Sequence, residues 1–212
     1  MLGLLGRLFG GAPAEADGAA EGRRWVVLDV ETSGLDQSSD SLLAIGAVAV
    51  HGERIVVEDS FEMVVQQHTA SDRQNILVHG IGAHAQRSGV DPRQACTLFL
   101  DYVRSAPLVA FHASFDRAFL ARAVKAYVGL PMGNAWLDLA DLAPVLHPEV
   151  KGKALDEWLA HFRISVDHRH HASSDAFATA MLFVRLISAV PPHQRGVRRL
   201  QKVAAQAKWL PQ

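Results

Sequence analysis

The sequence predicts a mixed α/β domain in which helices cover a sheet, and three observations carry that prediction. Two apolar runs and one alternating run, each bounded by turn residues, fill the stretch from 24 to 65. Helical periodicity then takes over, interrupted by short apolar segments at 107–111 and 135–137. Beyond 138 the periodic segments are all helical, with a polar His-rich loop leading into the longest. Strands followed by alternating helices and strands give a sheet with helices packed on its faces. At 212 residues, 49% of them hydrophobic, the chain can bury one such core.

Residues 1–10 are apolar but short, broken by Arg7, and lack the basic leader and long apolar centre of a signal peptide. Residues 11–22 are Gly, Ala, Pro and acids without periodicity. We read 1–22 as a flexible lead-in, 23–190 as the folded domain and 191–212 as a basic helical tail.

Trp25-Val26-Val27-Leu28-Asp29-Val30-Glu31 is a β-branched run that reads as a buried strand over 24–32, ended by Thr32, Ser33 and Gly34. Residues 42–50 form a second strand, and His51-Gly52 turns it into a third over 54–65, an antiparallel three-strand meander. Residues 66–75 are polar and read as a loop; 76–81 takes no assigned state. Asp91 as N-cap with Pro92 at the first helical position opens a helix presenting Ala95, Leu98, Phe99, Tyr102 and Val103 on one face. A fourth strand at 107–111 leads to a helix from Ser114 with Phe115, Phe119, Ala123 and Tyr127 as its buried stripe. A fifth strand is needed at 135–137. Helices follow at 139–146, 153–162 and 172–190, the last stopped by Pro191-Pro192, and a basic helix closes the chain at 198–209.

The net charge of −1 removes any global polycation, although a metal-loaded acidic cleft binds phosphate without one. Cys96 is the only cysteine, which excludes an intramolecular disulfide and a cysteine-based zinc cluster and suits a reducing cytosol. No stretch is long and apolar enough to span a bilayer. A cytoplasmic protein with no membrane partner is expected.

Asp29 and Glu31 stand two residues apart on one strand and project from one face. At about 4 Å two like charges repel by roughly 4 kcal/mol at an effective dielectric near 20. Either one acid is protonated or a cation lies between them. Asp116 falls in the first turn of the helix after the fourth strand, and Asp175 in the first turn of the long helix, sharing a face with Ala172, Ala176 and Thr179. An acid in a first turn is stabilised by the helix dipole without any catalysis, so each has an ordinary reading alone. Together, at the strand-end edge of an α/β sheet, the four acids can converge. Hard oxygen ligands suit Mg²⁺ or Mn²⁺, and two such ions about 3.5–4 Å apart clamp a phosphoryl displacement. His170 is the right residue type for a general base in the right loop. The cluster His168, His170 and His171 reads as a solvated loop or a zinc site, and zinc would want ligands at defined helical or turn spacing and a closed fourth position. His79 and His112 read as structural, and Asp138 as a helix N-cap. Arg195, Arg198, Arg199, Lys202 and Lys208 make the tail basic, a solvated face or a contact for phosphates or a partner.

Three segments in order, Asp29-Val30-Glu31-Thr32-Ser33-Gly34-Leu35, His112-Ala113-Ser114-Phe115-Asp116 and Arg169-His170-His171-Ala172-Ser173-Ser174-Asp175-Ala176, resemble the motifs of the DEDDh 3′–5′ exonucleases. That superfamily includes the epsilon proofreading subunit of bacterial DNA polymerase III, ribonuclease T and oligoribonuclease. Ile45-Gly46-Ala47-Val48, Val78-His79-Gly80-Ile81 and Leu137-Asp138-Leu139 add matches, and the similarity covers roughly residues 24–190. The resemblance implies a ribonuclease H-like fold: a mixed five-stranded sheet with the three-strand meander and helices on both faces. It implies two divalent ions, the first held by Asp29, Glu31 and Asp175, the second shared by Asp29 with Asp116 helping through water. By the same resemblance His170 is the base, the backbone around Thr32 and Ser33 meets the 3′ end of the terminal nucleotide, and Leu35 wedges against its base. Ala113 departs from the family, which usually has Asn there.

The function so implied is a metal-dependent 3′–5′ exonuclease, epsilon-like, releasing nucleoside 5′-monophosphates from single-stranded DNA ends. The alternatives are an RNA 3′-end trimming exonuclease and a non-catalytic nucleic-acid binding module on the same fold. The termini are where a replication-protein partner would bind.

Overall fold

The computed structural model describes residues 24–166 and 170–210. The lead-in expected over 1–22 lies outside the described residues, as do His168 and Arg169. Five strands form one sheet: β1 (Arg24–Thr32), β2 (Leu42–His51), β3 (Arg54–Val64), β4 (Leu108–Ala110) and β5 (Trp136–Asp138). Their order is β3-β2-β1-β4-β5, a ribonuclease H-like arrangement. β1 pairs antiparallel with β2 and β2 with β3, which is the expected meander, while β4 runs parallel to both β1 and β5.

The helices are α1 (Arg73–His79), α2 (Ala83–Arg87), α3 (Pro92–Val103), α4 (Ala113–Tyr127), α5 (Leu139–Leu146), α6 (Leu155–His161), α7 (Ala172–Ser188) and α8 (Val197–Ala204). Helices α3 and α4 pack on one face of the sheet and α5 to α8 on the other, and the period of β1 shows how. Val26, Leu28 and Val30 join a core with Phe99 of α3 and Phe119, Leu120 and Val124 of α4. Trp25 and Val27 join a second core with Leu142 of α5, Trp158 of α6, Phe183 of α7 and Leu200 of α8. Since side chains alternate along a strand, Asp29 and Glu31 continue the Trp25–Val27 face, the one that α7 covers.

Four local expectations are corrected. The polar stretch from 66 is not loop to 75, because Asp72 accepts the Asn75 amide proton and caps α1. On α3, Leu98 is exposed and Cys96 is buried, since the inward face is centred between Ala95, Cys96, Phe99 and Val103. On α4, Tyr127 is 49% exposed. A strict four-residue spacing drifts about 40° per step at 3.6 residues per turn, so the stripe passes instead to Leu120 and Val124. The closing helix ends at Ala204, and a separate 3₁₀ turn spans Ala207–Trp209. Val197, Leu200, Val203 and Ala204 pack into the second core.

Candidate metal centre

β1 carries its two acids past the last residues paired with β4, which meets it only at Val26 and Val27. On its other side, Asp29 stands opposite Gly46 of β2. Gly46 lies directly under the first turn of α7, and a Cβ there would collide with the backbone of Ala172 and Ser173. The missing side chain lets α7 start against the sheet. Asp175, in its first turn, is thereby brought to the acid pair. Ligand oxygens of Asp29, Glu31 and Asp175 lie within 4.8 Å of one another. Asp29 and Glu31 are half-buried, and Asp175 is buried.

Asp175 is oriented from the preceding loop. His170 adopts a left-handed backbone (φ 64°), and its amide donates to Asp175 Oδ2 at 3.2 Å. The His170 residue itself is exposed beside the cluster. His171, the neighbour, caps α7 through its backbone and packs its ring over Gly80.

Asp116 stands just outside the three-acid group. It is 3% exposed, and its Oδ1 accepts the Val30 amide at 3.1 Å, so it grips the strand between Asp29 and Glu31. Burial pushes its carboxyl well above the usual carboxylate range, and the charges of Asp138 and Glu31 push the same way. Its own amide and that of Val30 oppose the shift. A cation would reverse the balance, because a nearby opposite charge favours the ionised form. Three to four carboxylates at one strand end, one of them disfavoured as an anion, form a hard-oxygen donor set that fits a divalent cation.

Asp138 has the capping role expected of it. Its Oδ1 accepts from Ala140 of α5 and from His112 at the start of α4, both at 2.9 Å. His112 takes a left-handed backbone (φ 62°) at that junction. Burial raises the Asp138 carboxyl too.

The segment after β1 is locked in place. Thr32 Oγ1 donates to the Gly34 carbonyl at 2.7 Å, and Ser33 Oγ donates to Asp40 Oδ1 at 2.9 Å. Asp40 also accepts the Asp36 amide, and Arg122 of α4 donates to the Ser38 and Asp40 carbonyls. Ser38 and Ser39 hold the Asp36 carboxyl down to about 2. Leu35 projects from this braced turn 84% exposed. Asn75, which the sequence leaves in a loop, donates from Nδ2 to the Thr32 carbonyl at 3.0 Å. The signal for it was Asp72 three residues earlier, an N-cap spacing.

Acids gathered at the end of the central strand of a ribonuclease H-like sheet define the class, a nuclease domain. The chain belongs to the RNase_T exonuclease family, whose model matches residues 26–183. It is 31% identical over 190 residues to a DNA polymerase III subunit epsilon-like protein of Rhodobacter capsulatus, covering 88% of this chain and 27% of that protein. It is 29% identical over 189 residues to the PolC-type DNA polymerase III of Caldanaerobacter subterraneus subsp. tengcongensis, covering 89% of this chain and 13% of the polymerase. The chain thus spans a minor part of the length of these relatives.

Two solved structures share the fold. E. coli exonuclease I in complex with a dT13 oligonucleotide superimposes with a TM-score of 0.66 at 16% identity, over 79% of this chain and 41% of that one. Exonuclease X in complex with 5′ overhanging duplex DNA gives 0.65 at 22% identity, over 84% of this chain and 98% of that one. No helix among the described residues is long and apolar enough to cross a membrane.

Proposed function

We infer that this domain is a 3′–5′ exonuclease that removes nucleoside 5′-monophosphates from single-stranded DNA ends with the help of two divalent ions, Mg²⁺ or Mn²⁺. The observation that carries the reading is the meeting of Asp29, Glu31 and Asp175 within 4.8 Å in a domain of an exonuclease family. Single-stranded DNA is favoured because the relatives include an epsilon-like subunit and the fold neighbours include an exonuclease bound to dT13.

Asp29, Glu31 and Asp175 would hold one ion, and Asp29 would share the other, with Asp116 helping through water. When bound, the ions supply Lewis-acid neutralisation of the scissile phosphate and a lowered pKa for water. His170 takes the proton that water loses as its oxygen attacks phosphorus, and the 3′ oxygen of the penultimate nucleotide leaves. The backbone at Thr32 and Ser33 orients the terminal 3′ end, and Leu35 wedges against the last base. Residues 23–190 are the catalytic unit on this reading, with 1–22 as lead-in and 191–212 as a basic tail; the termini are the place for a replication-protein partner.

The test uses one oligonucleotide labelled at either end, with Mg²⁺ and then with EDTA. A 3′ label should leave at once as mononucleotide, while a 5′ label yields a shortening ladder. Absence of metal-dependent release from any DNA or RNA end overturns the reading, and faster release from RNA transfers it to that polymer.

A further inference from the structure

α1 is a seven-residue helix, too short to hold its shape alone. Hydrophobic packing does not anchor it, since Leu77 is 75% and Val78 is 59% exposed. What ties it to the domain is polar. His79 is 1% exposed, and three hydrogen bonds run through it and Asn75 toward β1.

Proton accounting gives these bonds a direction. The Ile81 amide can only donate, so His79 Nδ1, 2.9 Å away, accepts. Burial pushes the His79 imidazole pKa down, which keeps the ring neutral with its one proton on Nε2. That proton is donated to Asn75 Oδ1 at 2.8 Å, with Ser71 Oγ as a longer neighbour at 3.4 Å. The Asn75 amide is thereby oriented, because only its Nδ2 is left to face the Thr32 carbonyl at 3.0 Å. A flipped amide would set oxygen against oxygen at Thr32 and nitrogen against the proton of His79. The chain therefore reads one way: Ile81 amide to His79, His79 to Asn75, Asn75 to Thr32.

Its end point lies beside the acids. The β1–β2 pairing shifts register between Glu31 and Thr32, so the strand leaves its regular ladder one residue after Glu31. The Asn75 amide holds the Thr32 peptide at that irregularity.

We propose that Asn75, oriented by His79, is a positioning residue that fixes the Thr32 peptide and with it the end of β1 presented to the terminal nucleotide. This rests on the exonuclease reading above. It assigns a part to the Asn75–His79 pair in substrate alignment, not in metal binding.

Asn75→Asp tests it. The side chain keeps its volume and its acceptor toward His79, and an acid in a helix's first turn is tolerated, but an oxygen replaces the donor to Thr32. Asn75→Ala removes both bonds and serves as the second variant. Three measurements are made on each: steady-state hydrolysis of a short single-stranded oligonucleotide, Mn²⁺ titration of the protein alone, and long-range ¹H–¹⁵N correlation of the His79 ring. Both variants should lose about 10- to 100-fold in kcat/KM, carried by KM, as expected for a misplaced substrate contact. Mn²⁺ affinity should stay at the wild-type value. In the wild type the His79 proton should be found on Nε2. Active wild type with unchanged kcat/KM in both variants overturns the inference, as does a loss matched by an equal loss of Mn²⁺ affinity, or a proton on Nδ1. An inactive wild type sinks the exonuclease reading instead, and the two failures are thereby told apart.

Discussion

Gly46 of β2 and Ala172 of α7 meet backbone to backbone, with no space for a side chain on the glycine. Gly46 is also the cross-strand partner of Asp29. The contact therefore sets how near α7 can bring Asp175 to the strand that bears the other two acids. Gly46→Ala should lift the first turn of α7, costing about 1–3 kcal/mol of stability from overpacking and most of the metal affinity. Urea unfolding and Mn²⁺ titration read the two effects separately.

Charge removal at Asp175 should dissociate fold from metal. At 4.8 Å two carboxylates repel by about 3.5 kcal/mol at an effective dielectric of 20, and a divalent ion offsets that. Wild-type protein should be stabilised by about 2.7 kcal/mol when Mn²⁺ is present at a hundred times its dissociation constant. Asp175→Asn should fold, show no such gain and release no mononucleotide. Thermal melts with Mn²⁺ and with EDTA decide it.

His170→Ala should lower turnover by about 10²–10⁴-fold, the usual share of a general base. Because the His170 backbone also donates to Asp175, metal affinity needs to be measured alongside; it should be kept, since the amide survives the substitution. A near-normal rate would move the proton-accepting role to another group.

Asp116 predicts a slope of stability against pH in metal-free protein. Burial raises its folded pKa well above that of the unfolded chain, about 3.9. Its contribution is then fully present below that unfolded value and is lost as pH rises through the folded one. Asp116→Asn keeps an oxygen for the Val30 amide and removes the titration. Urea melts in EDTA from pH 4.5 to pH 8 should fall for wild type and flatten for the variant.

The Arg24–Asp59 pair should behave with the opposite sign. Arg24 donates from Nε and Nη2 to the two Asp59 oxygens at 2.7 and 2.8 Å, and these bonds hold the carboxyl below its usual range. Stability from this pair is present above the unfolded pKa and is lost as pH falls through the folded one. Asp59→Asn should therefore weaken the wild-type protein at neutral pH and remove part of its acid sensitivity, as urea melts at pH 7 and pH 3 would show.

The parts of the molecule legible in its residues are those that local rules decide. The acid pair of β1 follows from a two-residue period in a β-branched run, and Asp138 and Asp91 announce helices by capping. Other features depend on tertiary contact. α1 carries exposed Leu77 and Val78 and no apolar stripe, so its existence rests on Asn75 and His79 reaching the end of β1. Leu98 and Tyr127 fit helical spacing but sit too far round from the inward face. The approach of Asp175 to Asp29 needs Gly46 beneath α7, and no pattern within either segment encodes that meeting. The left-handed backbones of His112 and His170 are equally silent, since neither residue is a glycine.

Strand β3 occupies one margin of the sheet, bonded to β2 alone among the strands. Its partner ladder breaks register between Val48 and Ala49, and exposed Glu58 and Glu62 add negative charge along it. An edge so kinked and so acidic is a poor template for a second chain. Strand-to-strand pairing of two copies through that margin is therefore disfavoured.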